Sequence, residues 1–330
     1  MKKFIIGIGE ALWDKFIKEH LLIRKPGGAP ANFVYHTTQL GIEGFVVSAV
    51  GDDDLGRELQ EFLDKKGVRY IMHISKNKTG EVEATPLANG DNEYKIFKNV
   101  AYDDIPYTDA LDKLVPYIGA ICFGTLAQRE NGTSSQTIRR LLESVDDEST
   151  LKIYDINIRP TCDISNLEST TEEDARVERE KLMAIYTTSL QLANILKINQ
   201  TELPILAECL GIKGEHKQIC EALMERFKLN IVIYTLGEEG SIVYYKEAGS
   251  QELQESYCRV DIDDIISELN ITKDENCDTV GAGDSFTAAF VAGIIKGLDI
   301  KDAHYKASRL AAYVCTRQGA MPQLHKSILF

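Results

Sequence analysis

The chain has 330 residues, 44% of them hydrophobic, with a formal net charge of −14 and a pI near 5.0. That length can bury one large α/β core or two smaller domains, while the acidic balance runs against nucleic-acid binding, and no apolar run approaches the roughly 18 residues of a membrane-spanning helix. Seven cysteines without a C-x-x-C pair predict reduced thiols in a cytoplasmic protein, and the six histidines show no metal spacing.

In chain order, Lys2 and Lys3 precede an apolar stretch at 4–8 that is too short for a leader and is interrupted by Glu10 and Asp14, so it reads as a buried first strand. A helix follows at 31–40, a strand at 45–50 and a helix at 57–66. From 70 to 98 the pattern is strands and turns without a helix, and Asn89-Gly90-Asp91-Asn92 between 82–88 and 93–98 signals a hairpin. This small β-element is either a lid over a site or an edge hairpin without a role. If it is exposed, Tyr94, Ile96 and Phe97 give it apolar surface to hide, by closure or by pairing in a homodimer.

Beyond it come a strand at 120–123, a helix at 134–145 and a strand at 151–154. Within the charged stretch 163–185, residues 168–181 predict a solvated helix, with Thr171 and Asp174 as a capping pair and no chemistry assigned. Strands at 195–198, 231–235 and 242–245 and helices at 217–227, 284–296 and 301–315 complete an alternation that predicts one α/β domain with a largely parallel sheet.

Open α/β sheets place their sites beyond the carboxyl ends of the strands. Four predicted strands run into polar or glycine-containing segments: Gly124, Gln128 and Arg129; Asp155, Asn157 and Arg159; Asn199 and Glu202; and Thr235, Gly237 and Gly240. The strongest signal is Asp278-Thr279-Val280-Gly281-Ala282-Gly283-Asp284, which leads into a helix of small residues. A Gly-Ala-Gly turn at a helix start leaves converging N–H groups and partial positive charge, an anion site suited to a phosphoryl group. Asp284 beside it is placed to take a proton from an attacking hydroxyl, the competing reading being a plain helix cap. No G-x-x-x-x-G-K-[ST] occurs, and Leu12 stands where a dinucleotide fingerprint after Gly7 and Gly9 wants glycine. Near the front, Gly27-Gly28-Ala29-Pro30-Ala31-Asn32 opens a helix, where Asn32 offers a donor and an acceptor to a polyol and Asp14 an acceptor.

Residues 278–284 and 27–32 resemble the two signature regions of the ribokinase-like (PfkB) carbohydrate kinases, and Gly9-Glu10, Val50-Gly51-Asp52 and Thr235-Leu236-Gly237 match as well. The resemblance spans the chain. It implies a three-layer α/β/α sandwich with an inserted β-lid drawn from 11–24 and 70–104, and ATP and Mg²⁺ as cofactors, with a monovalent cation such as K⁺ a further candidate. By the same resemblance Asp284 is the base and Gly281, Ala282 and Gly283 the anion hole. Asp14, Gly28, Asn32, Gln128, Arg129, Asp155, Asn157 and Arg159 fall on the sugar side. Thr235, Gly237 and Gly240 fall on the nucleotide side, and Asn199 and Glu202 help place Mg²⁺ through water. The segments 123–129 and 155–159 resemble those of fructokinases, the second also that of 2-keto-3-deoxygluconate kinases. The expected function is phosphorylation of D-fructose on its 6-hydroxyl. The alternatives are another sugar or nucleoside as acceptor, or a silent sugar-binding regulator.

Overall fold

The computed structural model describes residues 4–18, 21–86, 92–129, 132–159, 162–163, 171–247, 250 and 252–330. The expected turn at 89–91 and part of the charged stretch, 164–170, lie outside the described residues. The chain runs β1 (Phe4–Ile8), β2 (Leu12–Lys18), β3 (Leu21–Gly27), α1 (Ala29–Gln39), β4 (Gly44–Gly51), α2 (Asp54–Lys65), β5 (Tyr70–Ser75), β6 (Gly80–Pro86), β7 (Asn92–Ile96), α3 (Asp109–Leu114) and β8 (Ile118–Phe123). It continues through α4 (Thr133–Ser144), β9 (Leu151–Asp155), α5 (Glu172–Leu192), β10 (Ile195–Asn199), α6 (Glu202–Leu210), α7 (His216–Phe227) and β11 (Ile231–Thr235). The last elements are β12 (Ser241–Lys246), β13 (Leu253–Cys258), α8 (Ile262–Leu269), α9 (Ala282–Ile295) and α10 (Ile300–Val314).

Strand β1 shows why the fold has three layers. Its residues alternate between two cores, Ile6 and Ile8 joining one and Ile5 the other, as the period of two requires. The first core is closed by apolar residues of α4–α7, the second by those of α1 and α8–α10. With both faces covered, the central strands are buried almost throughout, which favours parallel pairing. The large sheet has the order β13-β12-β11-β10-β9-β8-β1-β4-β5, parallel except that β12 runs antiparallel to both its neighbours. The fold is the expected α/β architecture with a largely parallel sheet between two helical layers. No helix among the described residues is long and apolar enough to cross a membrane.

A second sheet, ordered β3-β2-β6-β7, stands apart from the first. Its boundaries correct the expected ones: β3 continues through Gly27, and β5 at 70–75 belongs to the large sheet, parallel to β4 from Val46↔Tyr70 to Gly51↔Ser75. The root of β6 is clamped, since Asp53 accepts bonds from Gly56 N, Thr79 N and Thr79 Oγ1, joining the start of α2 to the residue before β6. Trp13 Nε1 donates to Leu55 O at 2.9 Å and ties β2 to the same helix. Ile96 is buried and Phe97 packs on the first core, so the apolar surface expected there is covered within the chain; the side chain of Tyr94 lies outside the described residues.

Helix α5 begins where the sequence places a capping pair. Thr171 Oγ1 accepts from Asp174 N at 3.1 Å, and the charged first half is solvated. The second half turns Leu182, Ile185, Tyr186 and Leu190 into the core. Helix α9 is buried from Ser285 to Gly293, because its small residues let neighbours close in: a Cβ on Gly293 would lie 2.9 Å from Ala303 Cβ of α10.

Candidate active site

The parallel strands bring their carboxyl ends to one edge of the sheet, and the candidate residues collect there. Strand β1 leads to Gly9-Glu10, β9 ends at Asp155 and leads to Asn157 and Arg159, β10 ends at Asn199, and β11 ends at Thr235 in register with Asn199. Helices α1 and α9 pack against each other over this edge and point their amino ends at it, which is where the geometry becomes specific.

Helix α1 starts at Gly28, whose φ of 127° and lack of room leave only glycine, since a Cβ would run into Glu10 O. The Glu10 carboxylate accepts from Ala29 N at 3.4 Å. One turn in, Asn32 Nδ2 donates to Asp284 Oδ2 at 2.7 Å, while Asn32 Oδ1 is buried without a partner among the described residues. A buried orphaned acceptor is costly, and a hydroxyl donor from a ligand would satisfy it.

Helix α9 starts at Gly281 in the left-handed region, φ 78°, packed on Ala320 of the C-terminal loop. No side chain caps the helix, so the first-turn N–H groups and the positive end of the dipole remain available to an anion. Asp284 is the third residue of α9 and is half-buried. Burial, then the charge of Asp155, raise its carboxyl to about 6, against the pull of Asn32, Lys197 and Arg159. Burial likewise lifts Glu10 to about 7 and Asp14 to about 6, with the Arg159 charge opposing both. The charge of Arg159 thus acts on all three carboxyls. Asn157 before it adopts φ 43°, a left-handed turn that asparagine tolerates better than most residues.

Several residues have different company from that expected. Asp155 is buried and accepts from Lys197 Nζ at 3.1 Å, so its carboxylate is engaged by a protein cation rather than open to a sugar. Burial would depress Lys197, but Asp155, Glu202 and Asp284 outweigh it and hold the ammonium protonated above its usual range. Gln128 donates to Gly124 O and to Ser189 Oγ of α5. Arg129, 1% exposed, pairs with Asp103 and donates to Phe97 O just after β7. Both turn inward, and Arg129 anchors the return of the small sheet. Gly240, φ 93°, has a backbone reason of its own, because a Cβ would strike Cys258 O at the β11–β12 turn.

Asn199 and Glu202 form a compact device. Asn199 Oδ1 accepts from Thr201 N and Glu202 N, starting α6. Glu202 Oε2 accepts from Asn199 N and Oε1 from Ile158 N, each at 2.9 Å, so one carboxylate ties the end of β10 to the loop after β9. No cluster of three or more His, Cys, Asp or Glu with metal-binding geometry occurs among the described residues. These two oxygens-rich side chains suit a hydrated cation already held by phosphates better than a closed protein cage.

Sequence reading missed Lys197 and left Glu10 without a role. The lysine had a signal, a lone cation inside the otherwise apolar run Ile195-Leu196-Lys197-Ile198. The small sheet also reaches the edge. Asp14 on β2 lies against Gly27, and its cross-strand neighbour Lys25 donates to Asp278 Oδ2 at 3.0 Å, linking β3 to the loop that carries the Gly281–Gly283 turn.

An uncapped helix end beside a carboxylate at the carboxyl edge of the sheet suits the transfer of a phosphoryl group to an alcohol. The pfkB family carbohydrate kinase pattern matches residues 17–150 and 173–327, and the chain belongs to that family. It is 26% identical to an uncharacterized sugar kinase of Pyrococcus horikoshii over 96% of this chain and 91% of the relative. It is 24% identical to fructokinase-1 of Zea mays over 98% and 95%. The crystal structure of the Pyrococcus horikoshii sugar kinase in complex with ATP superposes with a TM-score of 0.71, covering 96% of this chain and 94% of that one.

Proposed function

We propose that the chain transfers the γ-phosphoryl group of ATP to the 6-hydroxyl of D-fructose, with Asp284 as general base. The observation that carries this reading is the position of Asp284 beside the uncapped start of α9, held by Asn32 and raised to about 6. A base of that strength is ionised at neutral pH yet basic enough to accept the hydroxyl proton. As the sugar oxygen bonds to the γ-phosphorus, its proton passes to Asp284, and the bond to the β–γ bridging oxygen breaks to release ADP. The N–H groups at Gly281–Gly283 meet the charge on the transferring group.

Asn199 and Glu202 are the residues that would organise Mg²⁺ through water, and Thr235 and Gly237 would border the nucleotide. The ion screens and orients the triphosphate charge. Asp14, Asn32 and Arg159 would hold the sugar, under the small sheet acting as a lid that excludes water. Its edge strands β3 and β7 are the candidate seam for a second copy.

A neutral polyol suits the site because the Glu10, Asp14 and Asp284 carboxyls gather there, with the charge of Arg159 acting on each. A carboxylate substrate such as 2-keto-3-deoxygluconate would meet that negative field. The resemblance of 123–129 and 155–159 to fructokinases and the curated relatives of that name support fructose in particular. The test compares kcat/KM for fructose, 2-keto-3-deoxygluconate, ribose and glucose and locates the product phosphate by NMR. Fructose should lead with phosphate on carbon 6; a higher value for a competitor, or phosphate on another carbon, overturns the substrate assignment. Absence of ATP turnover with every sugar would favour a regulator.

A further inference from the structure

An interior strand rarely places a charge at its centre, yet β10 does. Lys197 is 8% exposed and lies in register between Asp155 on β9 and Ile233 on β11. An apolar residue of similar volume would serve the sheet as well or better, because the desolvation of a buried ion pair roughly cancels its attraction. The pair therefore asks for a reason other than stability.

The other side of the ammonium supplies one. Nζ lies 3.0 Å from where a Cβ on Gly283 would stand, and Gly283 is the second residue of α9. The cation thus faces the positive end of a helix dipole, the end least favourable to it. Asp155 offsets part of this repulsion from one side. An anion bound at the turn would relieve the rest, since it would be attracted by the helix end and the ammonium together. The closeness also bears on residue 283 itself: φ there is not in the left-handed region, so the backbone does not demand glycine, whereas a Cβ would press on Lys197 Nζ.

We propose that Lys197 is a positioning residue for phosphoryl transfer, a fixed cation behind the Gly281–Gly283 turn, oriented by Asp155 and given access to the turn by the missing side chain of Gly283. This rests on the reading of that turn as the anion hole.

The test removes both buried charges together, Lys197→Met with Asp155→Asn, so that neither is left alone. The expected result is a fall in kcat of about 10²-fold, the size of losing one oxyanion-hole donor, with the fructose KM changed less than about threefold, a split that a merely structural role does not produce. A kcat within about threefold of the parent overturns the proposal. If that variant does not fold, Gly283→Ala in the otherwise unaltered chain carries the test: its Cβ displaces the ammonium, and kcat should drop about tenfold or more with the melting temperature nearly unchanged. Unaltered turnover in Gly283→Ala overturns the proposal equally. Asp284→Asn run in parallel separates the layers. If it loses activity while the Lys197 and Asp155 variant keeps it, only the role of Lys197 fails; if Asp284→Asn keeps activity, the reading of the turn fails and takes the proposal with it.

Discussion

The two ends of the proposed site are built by different means. At the phosphate end a single run, 278–284, supplies the turn, the helix end and the carboxylate. At the sugar end the candidate groups come from separate places, Asp14 on β2, Asn32 on α1 and Arg159 beyond β9, and the small sheet that would cover them has strands from two parts of the chain. An anion can be held by backbone N–H groups, which local chain geometry sets. A polyol needs side-chain donors and acceptors spread around it, which only tertiary structure can gather.

That contrast can be sharpened most strongly at Glu202, where the phosphate end depends on one tertiary clamp. Glutamine there can accept one of the two N–H bonds now made to Ile158 and Asn199 but turns an amide donor toward the other. Glu202→Gln should lower stability by about 1–3 kcal/mol, measured by denaturant unfolding, and raise the Mg²⁺ needed for half-maximal rate. An unaltered metal titration would leave Glu202 a clamp only.

Asn32 joins the two ends, and its loss should appear in the pH profile. Its bond favours the ionised form of Asp284, so Asn32→Ala should raise the Asp284 pKa and move the acid limb of kcat/KM upward from near 6 by about one unit. The sign is fixed: Asp284 must be deprotonated to act, so the rate falls with acid, and on acidification the variant loses activity at a higher pH than the parent. An acid limb that stays in place would uncouple Asn32 from Asp284. Smallest of all should be Lys25→Met. The Lys25–Asp278 pair is about a third exposed, and such pairs contribute roughly 0–1 kcal/mol. A change in fructose KM of no more than about fivefold, with kcat retained, is expected, whereas collapse of kcat would make the small sheet part of the catalytic turn itself.

The proposed phosphate end was legible nearly whole in the sequence because its turn, helix start and carboxylate are consecutive residues. The core strands were equally plain, since burial on both faces writes them as apolar runs. What stayed hidden was direction and partnership. Gln128 and Arg129 follow a strand as site residues do, but packing against α5 and Asp103 turns them inward. Asp155 looked open until β10 placed Lys197 beside it. Strand β5 has the same local character as the strands of the small sheet, and only its pairing with β4 assigns it to the large one. Lys197 was visible as a charge in an apolar strand, although nothing local connects it to Gly283, 86 positions away along the chain by the difference of their numbers.

The central claim, that Asp284 accepts the sugar proton, is tested most directly by the steady-state kcat of Asp284→Asn with ATP and fructose at neutral pH, with ATP binding measured by calorimetry on the same preparation. Loss of a general base should lower kcat by about 10²–10⁴-fold while the ATP Kd stays within about threefold. A variant that binds ATP normally and keeps more than about a tenth of the parent kcat would contradict the account.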